Sequence, residues 1–182
     1  MFATDLISRK ISRGEMAFLR NKARNAMIGG VSNIRNENDR REELETDQLI
    51  GIIGHYAFVS IYFGSSQPFL VQRWYAEHNK YQGDISDVPG ANIDVKSSRL
   101  NQERPVLTHS LIVRQKEFSR ETIYVLVLVS ISQDGETAEA EIVGWIHGRD
   151  MPQRPNTEGI FAGAYSVVAN RLNPVMPVRW YL

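Results

Sequence analysis

Three carboxylates and one lysine lie close together in the stretch GDISDVPGANIDVKSSRL, residues 83–100. If ANIDVKS is a strand, its two-residue period places Asp94 and Lys96 on one face and the apolar residues beside them on the other. The segment GDIS can pair with that strand across the Pro-Gly turn of DVPG, which would bring Asp84 towards Asp94. The spacing therefore predicts a hairpin that gathers two carboxylates and an ammonium group.

Two carboxylates beside a lysine have the composition that metal-assisted hydrolysis of a phosphodiester requires. Carboxylate oxygens suit Mg²⁺, which keeps several of its own waters and makes one of them a better nucleophile. A neighbouring lysine can orient that water or favour its hydroxide form. The alternative is a solvated strand face with a weak ion pair, because an acid-x-Lys tripeptide is expected by chance about once in a chain of this size.

The elements around the hairpin indicate one domain of the α/β (α+β) class. Apolar residues recur at helical spacing in residues 42–63, with acids in the first turns, where they suit the helix dipole. Residues 108–114, 122–131 and 140–147 have the composition of strands, and the last two are joined by a Gln-Asp-Gly turn. We therefore predict a single domain with a central mixed β-sheet flanked by helices.

Two further features concern the predicted helix and the segment that follows it. Gly51 and Gly54 weaken the helicity of the predicted helix but permit another backbone to approach it closely. Residues 69–79, FLVQRWYAEHN, suit either a strand or a turn of helix.

The two ends of the chain differ from the middle, residues 42–150. Residues 1–41 carry nine Lys and Arg against four acids, so this segment has a net charge of +5 in a chain whose formal net charge is zero. We predict a basic helical segment here, with one or two short helices in residues 4–28 interrupted at Gly14 and a loop after them. Such an arm can bind a polyanion, although incidental charge on a solvated arm is the alternative. Residues 151–182 contain four prolines and predict an irregular segment on the core surface.

The composition excludes several classes of protein. The chain has no cysteine, which excludes zinc fingers and thiol nucleophiles. No run of about 18 apolar residues exists, and the first 16 residues lack the apolar core of a secretory signal, so we expect a cytoplasmic protein without a membrane partner. The motifs of phosphate-binding P-loops and serine hydrolases are also missing.

The order of these motifs resembles a known family. GDI followed by IDVKSSR resembles the signature of the PD-(D/E)XK nuclease superfamily, which has the restriction-endonuclease-like fold. The helix LIGIIGHYAFVSIYFG is similar to the first helix of that family, and YVLVLVSI with AEIVGWIHGRDM is similar to later strands of phage and bacterial members. The resemblance covers about residues 45–150, and its specificity comes from the order and spacing of short motifs.

The resemblance implies a site and a reaction. Asp84 and Asp94 would be metal ligands, the Val95 carbonyl a third ligand, and Lys96 the residue that positions water. Asp87 competes with Asp84 for the first role, but it adjoins the Val-Pro-Gly turn, so Asp84 is favoured. The resemblance implies a Mg²⁺-dependent deoxyribonuclease that acts as an endonuclease. Mn²⁺ would be able to replace Mg²⁺.

One position departs from the family pattern. His55 stands on the helix where the family often has a glutamate. An imidazole could ligate a metal, bind a metal-bound water or touch a phosphate, but Mg²⁺ prefers oxygen ligands. His55 could equally be a helix histidine with only structural contacts. This departure favours the alternative function, a catalytically degenerate nuclease-fold protein that binds nucleic acid or serves in assembly.

The remaining predictions concern partners. Arg99, Arg114 and Lys116 follow the motif strand and could contact backbone phosphates of DNA, although charges beside strands are more often solvated. The family commonly uses two protomers for double-strand cleavage, so the resemblance also implies a homodimer.

Overall fold

The computed structural model describes residues 7–28, 41–64, 92–159 and 161–174. These residues contain six strands and two α-helices. The helices are α1 (Arg13–Ile28) and α2 (Arg41–Phe63). The strands are β1 (Ile7–Ile11), β2 (Ile93–Arg99), β3 (Ser110–Arg114), β4 (Ile123–Ile131), β5 (Ala138–His147) and β6 (Ala164–Val168). Short 3₁₀ turns lie at Val106–Thr108, Gln115–Glu117, Gly148–Asp150 and Ala169–Arg171.

Four of the strands form a mixed sheet in the order β1-β5-β4-β2. The pairs β1–β5 and β4–β5 are antiparallel, whereas β2 and β4 run parallel. The sequence of β4, IYVLVLVSI, is apolar almost throughout because the strand lies between two neighbours and is buried on both faces. The structure thus confirms the predicted α/β domain with a central mixed sheet flanked by helices.

The two faces of this sheet are covered by different layers. Both helices pack on the face that carries Ile93 and Val95 of β2, and together they form the larger hydrophobic core. The antiparallel pair β3–β6 covers the opposite face, against Tyr124, Leu126 and Leu128 of β4. Side chains of β2 therefore alternate between a helical layer and a small second sheet.

The N-terminal part of the chain differs from its prediction. Residues 7–11 form a strand at one end of the sheet, paired with β5, and not the start of a helix. The helix α1 begins at Arg13 and includes Gly14 in its first turn, so that glycine does not interrupt it. Met16 and Leu19 of α1 are fully buried in the larger core. These residues form part of the sheet and its helical layer, and a free basic arm is therefore the wrong description of residues 7–28.

A polar cluster holds β1, α1 and α2 together. Glu15 accepts hydrogen bonds from Arg9 at 2.7 Å, from the Tyr56 hydroxyl at 2.6 Å and from the Ser12 backbone N–H at 2.8 Å. Ser12 and Glu15 have the S-x-x-E spacing of a capping box, which satisfies free N–H groups at the start of α1. The cluster fixes α2 against the sheet at the level of Tyr56.

The C-terminal part also differs from its prediction. Residues 164–168 form β6, with Tyr165 and Val167 buried against β4. Asn173 exchanges backbone hydrogen bonds with Trp145 of β5, at 3.0 and 2.8 Å. The prediction of an irregular segment is therefore wrong for Ala164–Val168, which form a strand paired with β3, whereas these residues do pack on the core.

Several predictions fall outside the described residues: the loop after α1, the segment 69–79, and the first half of the hairpin with Asp84 and Asp87. Neither α1 nor α2, the two α-helices of the described ranges, has the combination of length and hydropathy that crossing a membrane requires.

Candidate active site

Asp94 and Lys96 lie on the same face of β2, as the strand period predicts. Ile93 and Val95 are buried beneath the helices, while Asp94 and Lys96 project from the other side of the strand and remain partly exposed. The Lys96 Nζ lies 2.9 Å from the Asp94 Oδ2, and the two side chains are 22% and 18% exposed. This pair is a close ion pair that solvent still reaches.

A second carboxylate completes the surroundings of the lysine. The Lys96 Nζ donates to the Glu117 Oε2 at 3.0 Å, and Glu117 is only 14% exposed. Arg114 approaches the same carboxylate from the end of β3, at 3.9 Å. We call Asp94, Lys96, Arg114 and Glu117 the Lys96 cluster. Its two carboxylates and two cations balance, which lowers the cost of holding the group away from bulk water.

Glu117 is held in place by β4. The Tyr124 hydroxyl accepts a hydrogen bond from the Ser119 N–H at 2.7 Å and lies 3.2 Å from the Glu117 carbonyl oxygen, to which it can donate. Tyr124 is fully buried and is the register partner of Asp94. Phe118 stacks on Tyr165 of β6 with 3.9 Å between ring centroids. The strand pair that carries Asp94 therefore also anchors the turn that carries Glu117.

The electrostatics of the cluster keep Lys96 charged. Burial alone lowers the pKa of the Lys96 ammonium, but attraction to Asp94 and Glu117, with a hydrogen bond to each, raises that pKa above its ordinary value. Lys96 is therefore an ammonium group at neutral pH, and it acts as a hydrogen-bond donor and a positive charge.

His55 lies on the other side of the sheet from this cluster. It belongs to α2, which packs on the face of Ile93 and Val95, and it is 2% exposed. Strand alternation thus separates the helix of His55 from the face where Lys96 meets Glu117.

The predicted DNA-contacting residues occupy two places. Arg114, a member of the Lys96 cluster, is the last residue of β3, and Lys116 lies on the turn of Glu117; both residues are exposed. Arg99 is exposed at the end of β2, in the alternating set that includes Ile93 and Val95. The structure therefore brings Arg114 and Lys116 to the cluster, whereas Arg99 belongs to the other face of its strand.

Some of the oxygen atoms near Lys96 are of the kind that a hard metal ion prefers. Asp94 supplies a carboxylate and the backbone supplies the Val95 carbonyl, hard donors of the kind that suit Mg²⁺ and Mn²⁺. Within residues 7–28, 41–64, 92–159 and 161–174, no group of three or more His, Asp and Glu side chains is arranged to hold a metal. The donor chemistry fits Mg²⁺, and the further carboxylate predicted for the site, Asp84 or Asp87, lies outside the described residues.

Sequence reasoning did not identify Glu117. It lies 21 residues after Lys96, in a turn without a motif, and it reaches the lysine only through the packing of β3 and the following turn on β4. The only signal in the sequence is one acid among the cations of RQKEFSR, residues 114–120.

Comparison of the chain with protein-family models, with curated proteins and with solved structures finds no match.

Proposed function

We propose that the protein is a metal-dependent nuclease that hydrolyses DNA phosphodiester bonds. The observation that carries the proposal is the Asp94–Lys96 pair, which lies on the face of β2 opposite the buried Ile93 and Val95 and is partly open to solvent. A solvated strand face would not need a second, largely buried carboxylate on the same lysine, and Glu117 provides one. The surroundings of the pair are therefore those of a functional site and not of a solvated strand face.

Each residue has a distinct role in this proposal. Asp94, together with Asp84, would hold Mg²⁺, with the Val95 carbonyl as a further donor. When bound, the metal supplies positive charge at the scissile phosphate and makes a water molecule more acidic. Lys96 donates hydrogen bonds to the attacking water or to a phosphate oxygen, and its charge stabilises negative charge that develops there.

Two exposed cations near Glu117 support DNA as the substrate. Arg114, at the end of β3, and Lys116, on the turn that carries Glu117, are both exposed. Contacts of this kind bind a phosphate backbone without reading sequence, and they make the affinity depend on salt concentration. A cytoplasmic location, where bacterial or phage DNA is found, belongs to the same proposal.

A second candidate is a catalytically degenerate nuclease-fold protein that binds nucleic acid or serves in assembly. The feature that favours it is His55, a buried imidazole at the helix position where the nuclease family often has a glutamate. In this version Lys96 would remain bound to its two carboxylates, and the exposed cations alone would contact the nucleic acid.

Cleavage assays separate the two candidates. The purified protein is incubated with supercoiled plasmid and with linear DNA, in Mg²⁺, Mn²⁺ or EDTA, beside Asp94→Asn and Lys96→Ala. Matched controls are Asp150→Asn and Lys10→Ala, which change exposed residues in other parts of the described chain.

The proposed nuclease cleaves in Mg²⁺ or Mn²⁺, does not cleave in EDTA, and loses activity only in the two site variants. Salt-dependent DNA binding without cleavage in any metal would support the second candidate. Cleavage that persists unchanged in both site variants would overturn the assignment of the site.

A further inference from the structure

We infer that Glu117 is a positioning residue for Lys96, an inference that rests on the proposed nuclease function. Lys96 has two carboxylate partners, Asp94 at 2.9 Å and Glu117 at 3.0 Å, and they come from different elements. Asp94 is on the same strand as the lysine, whereas Glu117 comes from the turn after β3.

The two partners differ in what else they must do. In the proposed reaction, the oxygens of Asp94 are needed as metal ligands, and a carboxylate that binds a cation has less charge to offer an ammonium group. Lys96 then depends on Glu117 to keep its Nζ in place. A misplacement of about 1 Å in a group that orients the attacking water costs about a hundredfold in rate.

The turn that carries Glu117 has the rigidity that this role requires. Its backbone is bound to the buried Tyr124 hydroxyl, and Phe118 is stacked on Tyr165. Because Tyr124 is the register partner of Asp94, the positions of Glu117 and Asp94 are set by one strand pair. Glu117 is also the acid of an otherwise cationic segment, and its carboxylate lies against Lys96 while Arg114 and Lys116 are exposed.

The first test measures the contact itself, without metal or DNA. Thermal unfolding is followed in EDTA for Glu117→Gln, Lys96→Met and the double variant. Glu117→Gln removes the attraction to Lys96 in the wild-type background, but in the Lys96→Met background it removes repulsion from Asp94. We therefore expect Tm to fall by about 2 to 6 °C in the first background and to rise in the second. Equal shifts in both backgrounds would overturn the inference.

The second test measures the consequence for cleavage. In Mg²⁺, Glu117→Gln is expected to lower kcat by about ten- to a hundredfold with KM for DNA unchanged, because Glu117 holds the lysine and does not contact the DNA. Glu117→Asp keeps the charge and is expected to retain more activity than Glu117→Gln. The control is Glu121→Gln, an exposed glutamate four residues further on, which should match the wild type.

The outcomes separate this inference from the proposed function. A wild-type protein that cleaves DNA, with kcat unchanged in Glu117→Gln, would overturn the positioning role alone. A rise in KM with unchanged kcat would do the same, because it would make Glu117 part of substrate binding. A wild-type protein that cleaves no DNA in any metal would overturn the proposed function and the inference together.

Discussion

Gly54 of α2 lies directly against Ser97, the residue of β2 that follows Lys96. A Cβ atom added to Gly54 would overlap the Ser97 hydroxyl and would lie 2.9 Å from its Cβ. Of the two glycines predicted to allow another backbone to approach closely, Gly54 therefore has that role. Gly51, one turn earlier, has nothing within 4 Å of the same added atom.

Alanine substitutions at the two glycines should therefore have opposite effects. Gly54→Ala forces α2 away from β2 and is expected to lower the free energy of unfolding by about 1 to 2 kcal/mol, because overpacking exceeds the gain in helix propensity. Gly51→Ala gains that propensity without a clash and should stabilise by about 0.5 to 1 kcal/mol. Denaturant unfolding measures both. Restored stability in Gly54→Ala combined with Ser97→Gly would confirm the cause, and equal effects of the two alanines would contradict it.

Stability at low pH should depend on Glu15. Burial alone raises the pKa of this carboxyl, but hydrogen bonds from Tyr56 and Ser12 and the charge of Arg9 lower it from 4.5 to about 2. A lowered folded-state pKa adds stability above pH 4.5, and that stability is lost as the pH falls towards 2.

The measurement is the free energy of unfolding of the wild type and Glu15→Gln between pH 2 and pH 7. We expect the variant to be less stable by about 1 to 2 kcal/mol at pH 7 and the difference to shrink below pH 4.5. Glu158→Gln, an exposed loop variant, should follow the wild type. A difference that stays constant with pH would show that the cluster does not act through the charge of Glu15.

Removal of the Lys96 charge should destabilise the domain. Lys96→Met leaves the carboxylates of Asp94 and Glu117 near each other without their shared cation, and we expect a loss of about 2 to 3 kcal/mol. The variant with Asp94→Asn, Lys96→Met and Glu117→Gln together removes that repulsion and should recover most of the loss. A triple variant as unstable as Lys96→Met would contradict this account of the cluster.

The Tyr124 hydroxyl should matter for both stability and cleavage. Tyr124→Phe leaves the Ser119 N–H without its acceptor and frees the turn of Glu117, with an expected cost of about 1 to 2 kcal/mol. Because the turn positions Glu117, the variant should also lower kcat for DNA cleavage without a change in KM. Unfolding and steady-state cleavage, measured on the same preparation, test the effects on stability and on kcat. An unchanged kcat would show that the turn does not influence cleavage.

The sequence predicted best where one physical signal decided the local structure. The helical period of α2, the apolar run of β4 and the alternation around Asp94 and Lys96 were each sufficient. The strand β1 was wrongly predicted as helix because its five residues are stabilised by pairing with β5, a partner about 130 residues away. The S-x-x-E capping box after it could have marked the true start of α1.

The site could be predicted only in part for a similar reason. Strand periodicity relates residues two apart, so it placed Asp94 beside Lys96. It carries no information about Glu117, which meets the lysine because Tyr124 and Tyr165 fix the turn after β3. The strand β6 was missed because its five residues lie among prolines and are stabilised by pairing with β3.

The most direct test of the central claim is the initial rate at which supercoiled plasmid is nicked in Mg²⁺ by the wild type, by Lys96→Ala and by Lys10→Ala. The nuclease account predicts cleavage by the wild type, a loss of about a hundredfold or more in Lys96→Ala, and a rate within about twofold of wild type for Lys10→Ala. Circular dichroism on each sample confirms that the variants are folded. A folded Lys96→Ala protein that nicks plasmid at the wild-type rate would contradict the account.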